Sequence, residues 1–279
     1  MLSNPRADRV RAVRALSRRA ARSRAGLFLA EGPQSVREAV RHTPRAVVDL
    51  YATGAGLARH TEIAGEAHEN GVRVTEVTED VLAAMVETEA PQGVLAVCRP
   101  VDLPLAAALE QGSGAHSRRR GAGPLLVVVL AHVRDPGNAG TVIRCADAAG
   151  ADAVVLTDSS VDIYNPKVVR STAGSLFHLP VVVGVPFDHA LAGLRAAGCR
   201  VLAADASGTT TLGDPALDLT DAHAWVMGNE AWGLPEALRE ACDEVVRVPI
   251  HGMAESLNLA MAATVCLYAS AAAQHSQSG

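Results

Sequence analysis

A chain of 279 residues, 49% hydrophobic and 20% charged, is long enough for two domains, each with a core of its own. No stretch approaches the roughly 18 uninterrupted apolar residues of a membrane span, and the arginine-rich N-terminus lacks the apolar core of a signal peptide, so a soluble, cytoplasmic protein is expected. Five scattered cysteines, at 98, 145, 199, 242 and 266, include no C-x-x-C pair; neither a disulfide framework nor a metal site is suggested.

The formal charge of −5 is unevenly spread. Residues 1–123 carry 17 Arg against 14 acids, and residues 124–279 carry 8 Lys and Arg against 16 acids. Arginines 6, 9, 11, 14, 18, 19, 22 and 24 crowd the N-terminus, where Asp8 is the only acid. Such an arm is an electrostatic footprint for phosphates, or else a solvated helix face.

The chain begins with a predicted basic helix over residues 5–22 and an apolar entry at Leu27-Phe28-Leu29. Helices are predicted over 31–42, 57–70 and 79–86, and strands over 46–51, 72–77 and 94–98, which makes a small α/β domain. Residues 100–124 include GSGAHSRRRGAGP, too poor in large apolar groups to pack, and read as a flexible basic linker. Arg118, Arg119 and Arg120 within it are possible RNA contacts.

Leu125–Leu130 (LLVVVL) then opens a second alternation, with the continuous apolar pattern of a parallel strand covered on both faces. Strands follow over 153–156, 180–183, 200–204, 225–227 and 244–248. Helices are expected over 134–149, 166–173 and 188–197, after Pro235, and through the final stretch 253–273. An open, mostly parallel sheet with helices on both sides follows.

In such sheets ligands sit beyond the carboxyl ends of the strands, and four of these ends carry polar or glycine-rich loops. In DPGNAGTVIR, Pro136, Gly137 and Gly140 shape a tight strand-to-helix turn that favours an anion, with Arg144 further along the helix. In NPKVVRSTAG, Lys167 and Arg170 share a helix face suited to phosphate. MGNEAWGL places Glu230 at a strand end beside Gly228. VPIHGMAESLNLAMAA leads through Ser256 and Asn258 into a helix of small residues. Taken singly, Asn138 could be a helix cap, Glu230 a surface acid and Ser256 the cap of the last helix. No dinucleotide fingerprint, phosphate-cradling P-loop or nucleophile elbow is present.

The four segments, in this order over residues 125–273, resemble the SpoU branch of the SPOUT-class RNA methyltransferases. The N-terminal part, through Phe28-Leu29-Ala30-Glu31-Gly32 and its layout, is similar to the substrate-binding domain of thiostrepton-resistance-type ribosomal RNA methyltransferases. The resemblance implies a C-terminal α/β domain with a deep trefoil knot between about Ala203 and Tyr268, a rare exception to unknotted topology. It divides the chain into an RNA substrate-binding domain (1–105), a linker (106–123), the knotted domain (124–273) and a disordered tail (274–279). It further implies transfer of a methyl group from S-adenosyl-L-methionine to a ribose 2'-hydroxyl, in ribosomal RNA before transfer RNA, by a homodimer. Ala203, Gly228, Val248, Ile250 and Leu257 would hold the cofactor. Asn138, Arg144, Glu230, Ser256 and Asn258 would form the acceptor side. Arg170, Lys167, Arg18, Arg19 and Arg22 would contact RNA. Two departures stand out: Ala231-Trp232 occupies a place where many members have glycine, and His251 and Glu255 receive no role. A non-catalytic RNA-binding factor on the same fold is the alternative of another class, and a base methyltransferase is a further one.

Overall fold

The computed structural model describes residues 1–112 and 123–276. Its contacts divide the chain into two compact units, Met1–Val101 with Asp162–His178, and Asp102–Val161 with Leu179–Gly279.

The first unit begins with two short helices, α1 (Asp8–Ala15) and α2 (Arg19–Ala25), in place of the single basic helix expected. The chain breaks between them because Arg18 is extended, at φ −95° and ψ 133°. Arg22 then reaches back from α2, and its Nη1 donates to the carbonyls of Leu16 (2.9 Å) and Ser17 (2.7 Å). These are carbonyls that the end of α1 leaves without helical partners.

β1 (Phe28–Glu31), α3 (Pro33–His42), β2 (Val47–Ala52), α4 (Gly54–Arg59), α5 (Thr61–Glu69), β3 (Val74–Glu76), α6 (Glu79–Met85) and β4 (Val94–Cys98) follow. The four strands form a sheet in the order β1-β4-β2-β3. β4 is antiparallel to both neighbours, and β2 and β3 are parallel. Val10 and Val13 of α1 pack with Leu29, Tyr51, Leu82 and Leu95 in one buried cluster, which fixes the basic arm to the sheet.

α7 (Leu105–Gly112) lies within the stretch expected to be linker. Ala108 and Leu109 are buried in the core of the second unit, with Leu105 packed beside them, so an amphipathic turn was hidden in a small-residue sequence. Arg118, Arg119 and Arg120 lie outside the described residues.

β5 (Leu126–Leu130), α8 (Pro136–Ala149) and β6 (Ala153–Thr157) come next. The segment Asp162–His178, with α9 (Pro166–Ser171), was expected in the C-terminal domain but packs within the first unit. The rings of Tyr164 and Phe177 lie 4.5 and 6.2 Å from that of Phe28, and Asp162 meets the guanidinium of Arg22 at 2.5 Å.

The chain returns to the second unit through β7 (Val181–Val185), α10 (Phe187–Ala196), β8 (Arg200–Ala204), β9 (Thr210–Thr211), β10 (His223–Met227), α11 (Glu236–Glu240), β11 (Glu244–Arg247) and α12 (Leu259–His275). The seven strands run in the order β7-β6-β5-β10-β8-β11-β9, and every pairing is parallel. β5, β6 and β10 are buried at every position, which accounts for the unbroken apolar sequence of β5 and for β6 and β10 being apolar but for Thr157 and His223. Because β10 lies between β5 and β8, the loops leaving β5, β10, β8 and β11 gather at one end of the sheet.

The final helix begins at Leu259, six residues later than expected, because Asn258 caps it by accepting from the Ala260 N–H. Buried Ser270 accepts from Trp225 Nε1 at 2.8 Å and lies 2.7 Å from His223 Nε2, pinning α12 to β10. The helix continues through His275, and Gln274 is buried, so the tail expected from 274 is ordered at its start. The remaining tail residues, 277–279, lie outside the described residues. No described helix is long and apolar enough to cross a membrane.

Candidate active site

The loop after β5 enters α8 through Asp135, whose side chain accepts from the Asn138 N–H at 2.7 Å, with Pro136 in the first helical turn. Asp135, not Asn138, is therefore the cap. That frees the Asn138 side chain, which donates from Nδ2 to Glu230 Oε1 at 3.3 Å and accepts at Oδ1 from Asn258 Nδ2 at 3.1 Å. Glu230 Oε1 also accepts from the Asp135 N–H at 3.3 Å. Three of the five expected acceptor-side residues thus form one hydrogen-bonded chain, Asn258 to Asn138 to Glu230, although they lie in three separate segments of the chain.

Beside this chain is a cavity of about 310 Å³ at the ends of β8, β10 and β11, in the size range of small-molecule sites. Gly228, Glu230, Val248, Ile250, Ser256 and Leu257 all line it. Ala203 does not. It is fully buried in the core, and the cavity is lined instead by Ala204, the last residue of β8, and by Asp205 just beyond the strand end.

Gly228 is required by the loop itself. A Cβ there would lie 2.4 Å from the Gly233 carbonyl carbon and 2.6 Å from the Leu234 nitrogen. The physical reason for the glycine is therefore close backbone approach within the loop, in addition to any ligand. The loop is closed by reciprocal backbone hydrogen bonds of 2.9 Å between Asn229 and Gly233, and buried Asn229 donates from Nδ2 to the His132 carbonyl at 2.8 Å. Asn229 was missed as a site residue, although its place in the glycine-rich segment was a signal. Asp205 was also missed. Burial pushes its carboxyl up, but hydrogen bonds from Ser207 and the Leu234 N–H, together with Arg239, hold it below the ordinary carboxylate value on balance.

Ile250 and Leu257 are large apolar side chains left 38% and 39% exposed at the cavity. An aromatic ring seated there would cover both, and Glu230 and Glu255 offer carboxylates to polar and cationic groups beside it. The cavity therefore fits a molecule with a flat base and a charged arm, as S-adenosyl-L-methionine has.

The expected cations separate into distinct environments. Arg144 is exposed on α8 and has no hydrogen-bond or ion-pair partner among the described residues. In the first unit, Arg18, Arg19 and Lys167 are exposed. Arg170 is held by Glu31 at 2.9 Å and Thr88 at 3.3 Å. Arg22 is 6% exposed and bonded to Asp162 and two carbonyls, so it is a structural cation and not an RNA contact. Trp232 is half exposed, with the Arg134 guanidinium 5.3 Å above its ring, and His251 is exposed in the loop before α12.

A parallel sheet whose strand ends converge on a glycine-containing cavity places a ligand site where open α/β proteins bind their ligands. The chain belongs to the SpoU rRNA methylase family, whose model matches residues 125–268; residues 7–96 match the MRM3-like substrate binding domain. A relative from Bacillus subtilis (strain 168), the 23S rRNA (guanosine(2553)-2'-O)-methyltransferase RlmP, is 36% identical over 250 residues, 88% of this chain and 89% of its own. The AdoMet-bound rRNA methyltransferase from Sinorhizobium meliloti superposes with a TM-score of 0.80 at 29% identity, covering 96% of both chains. The SpoU methyltransferase AviRb from Streptomyces viridochromogenes, in complex with AdoMet, gives 0.78 at 33% identity over 97% of this chain and 99% of that one. This chain is accordingly an RNA methyltransferase that uses S-adenosyl-L-methionine.

Proposed function

We propose that the chain methylates a ribose 2'-hydroxyl of ribosomal RNA, and that the Asn258–Asn138–Glu230 chain beside the Gly228 cavity is its acceptor side. Bound in that cavity, S-adenosyl-L-methionine supplies an electrophilic methyl group. Gly228, Val248, Ile250 and Leu257 hold it, in the trefoil-knotted segment that the family resemblance implies. The observation that carries the reading is the hydrogen-bonded chain, which joins two amides to one carboxylate, Glu230, that lines the cavity. Each Asn can do only part of this alone; joined, they hold Glu230 as an oriented acceptor for a hydroxyl proton.

Arg144 supplies the cation. A guanidinium stays protonated through the physiological range and is better suited to stabilising a developing alkoxide than to removing its proton. Its lack of a protein partner among the described residues leaves its five donors for RNA. Lys167, Arg18 and Arg19 add phosphate contacts from the first unit.

The protein works as a homodimer paired through α12. Met261, Val265 and Tyr268 lie at i, i+4 and i+7 on one face of that helix and are 55%, 42% and 50% exposed, an apolar stripe that suits a second copy. Val265→Glu is expected to give a monomer in sedimentation; an unchanged dimer excludes this face.

The test of the site is Arg144→Ala assayed with ribosomal RNA and isotopically labelled cofactor. Transfer should fall at least about a hundredfold, as when one stabilising donor is removed from a reacting oxygen. Cofactor affinity in isothermal titration should stay within a few-fold. Wild-type transfer by the variant would exclude the role given to Arg144.

A further inference from the structure

Within the first unit, Glu38, His42 and His178, none of them used above, bring three potential ligand atoms within 4.8 Å of one another. Glu38 and His42 lie one turn apart on α3 and so share a face, while His178 comes from the segment after α9. Both rings direct Nε2 at the same oxygen, Glu38 Oε2, from 3.3 Å (His42) and 3.0 Å (His178). The two rings meet edge to face, with centroids 4.8 Å apart.

The carboxylate is oriented from behind. Arg37 Nε donates to Glu38 Oε1 at 2.8 Å, leaving Oε2 to the histidines. Glu38 itself is buried, whereas the His42 side chain is 44% exposed, so the cluster opens to solvent on one side. Donor atoms around a tetrahedral zinc ion, bound at about 2.0–2.1 Å, stand about 3.3 Å apart. The two Oε2–Nε2 separations are already close to that spacing.

We propose that Glu38, His42 and His178 form a binding site for a divalent transition-metal ion of the zinc type, with water completing the coordination on the His42 side. Two imidazoles and one carboxylate are a zinc-like donor set and a poor one for calcium or magnesium, which take oxygen ligands. The bond from Arg37 to the far oxygen is the kind of outer contact that orients a metal-ligating carboxylate. The sequence suggested no metal because that reading turned on cysteine spacing, and this cluster uses no cysteine. A bound ion would cross-link α3 to the end of the 162–178 segment and stabilise the first unit by mass action.

The same residues can also form an ion-pair cluster in which ring N–H groups donate to Oε2. The two arrangements exclude each other, because a neutral imidazole that ligates through Nε2 must carry its proton on Nδ1. The deciding experiment is titration of the chelator-stripped full chain with zinc ion alone, above the ordinary imidazole pKa of about 6.5, followed by the visible spectrum with cobalt(II). The site predicts one saturable ion per chain, a higher Tm with zinc, and a tetrahedral cobalt spectrum lacking a thiolate charge-transfer band. It also predicts affinity at least about tenfold weaker in His42→Ala. No saturable binding by the wild type, unchanged affinity in His42→Ala, or a thiolate band would each overturn it. The wild-type titration needs no variant to fold and is independent of methyl transfer.

Discussion

Asn258 donates its side-chain amide to Asn138 Oδ1 at 3.1 Å, so the residue that caps α12 is bonded to the first turn of α8, 120 positions earlier in the chain. It therefore has two tasks, and substitutions separate them. Asn258→Ser keeps a capping oxygen but cannot reach Asn138; Asn258→Ala loses both contacts. Each should lower kcat/KM about fivefold, the worth of one hydrogen bond of about 1 kcal/mol. Only the alanine should also lose about 1 kcal/mol of stability from the missing cap. Full activity in the serine variant would reduce Asn258 to a cap.

Gly228→Ala should damage the cavity through its own loop. The added methyl meets backbone of Gly233 and Leu234 at 2.4–2.6 Å, and backbone cannot swing aside as a side chain does. A loss of about 1–3 kcal/mol in stability is expected from overpacking, together with at least tenfold weaker cofactor binding by calorimetry, about 1.4 kcal/mol. Unchanged affinity would mean that the cavity is not where the cofactor binds.

Much of this was legible in the sequence. The unbroken apolar run of β5 announces a parallel strand covered on both faces, and the alternation of strands and helices after it announces the sheet. What was not legible depended on contacts between distant segments. Arg22 looks like its exposed neighbours Arg18 and Arg19, but the carbonyls of Leu16 and Ser17 and the carboxylate of Asp162, 140 residues away, take it out of solvent. Ser256 and Asn258 are equally good caps by type, and Asn258 is the one the helix start selects. α7 was hidden because Ala, Leu and Gly carry a weak amphipathic signal beside an arginine-rich linker.

The arginines of the basic arm should accordingly separate by function. Arg18→Ala and Arg19→Ala should each weaken RNA binding and reduce its logarithmic salt slope by about one. Arg22→Met should instead destabilise the first unit by about 3 kcal/mol, because Asp162 is left as a largely buried charge without its partner. Filter binding across salt concentrations and chemical denaturation measure the two effects. A stable Arg22→Met protein with a reduced salt slope would contradict the structural assignment.

Asp205 predicts an acid dependence. Its folded pKa lies below the ordinary 3.8 because hydrogen bonds from Ser207 and Leu234 outweigh burial. Between the two values the unfolded chain binds more protons, so the stability Asp205 contributes is complete above its ordinary pKa and is lost as pH falls through the lower folded value. The Tm difference between wild type and Asp205→Asn should therefore be constant near neutrality and shrink in acid below about pH 4. A difference that grows on acidification would reverse the assigned direction.

The account stands most directly on the chemical position of the transferred methyl group. Ribosomal RNA incubated with the protein and methyl-labelled cofactor, then hydrolysed in alkali, reports it, because a methylated 2'-oxygen cannot attack the adjacent phosphate and the chain stays uncut there. The ribose reading predicts label in alkali-resistant dinucleotides, lost in Arg144→Ala. Label recovered in mononucleotides would place the methyl group on a base and contradict it.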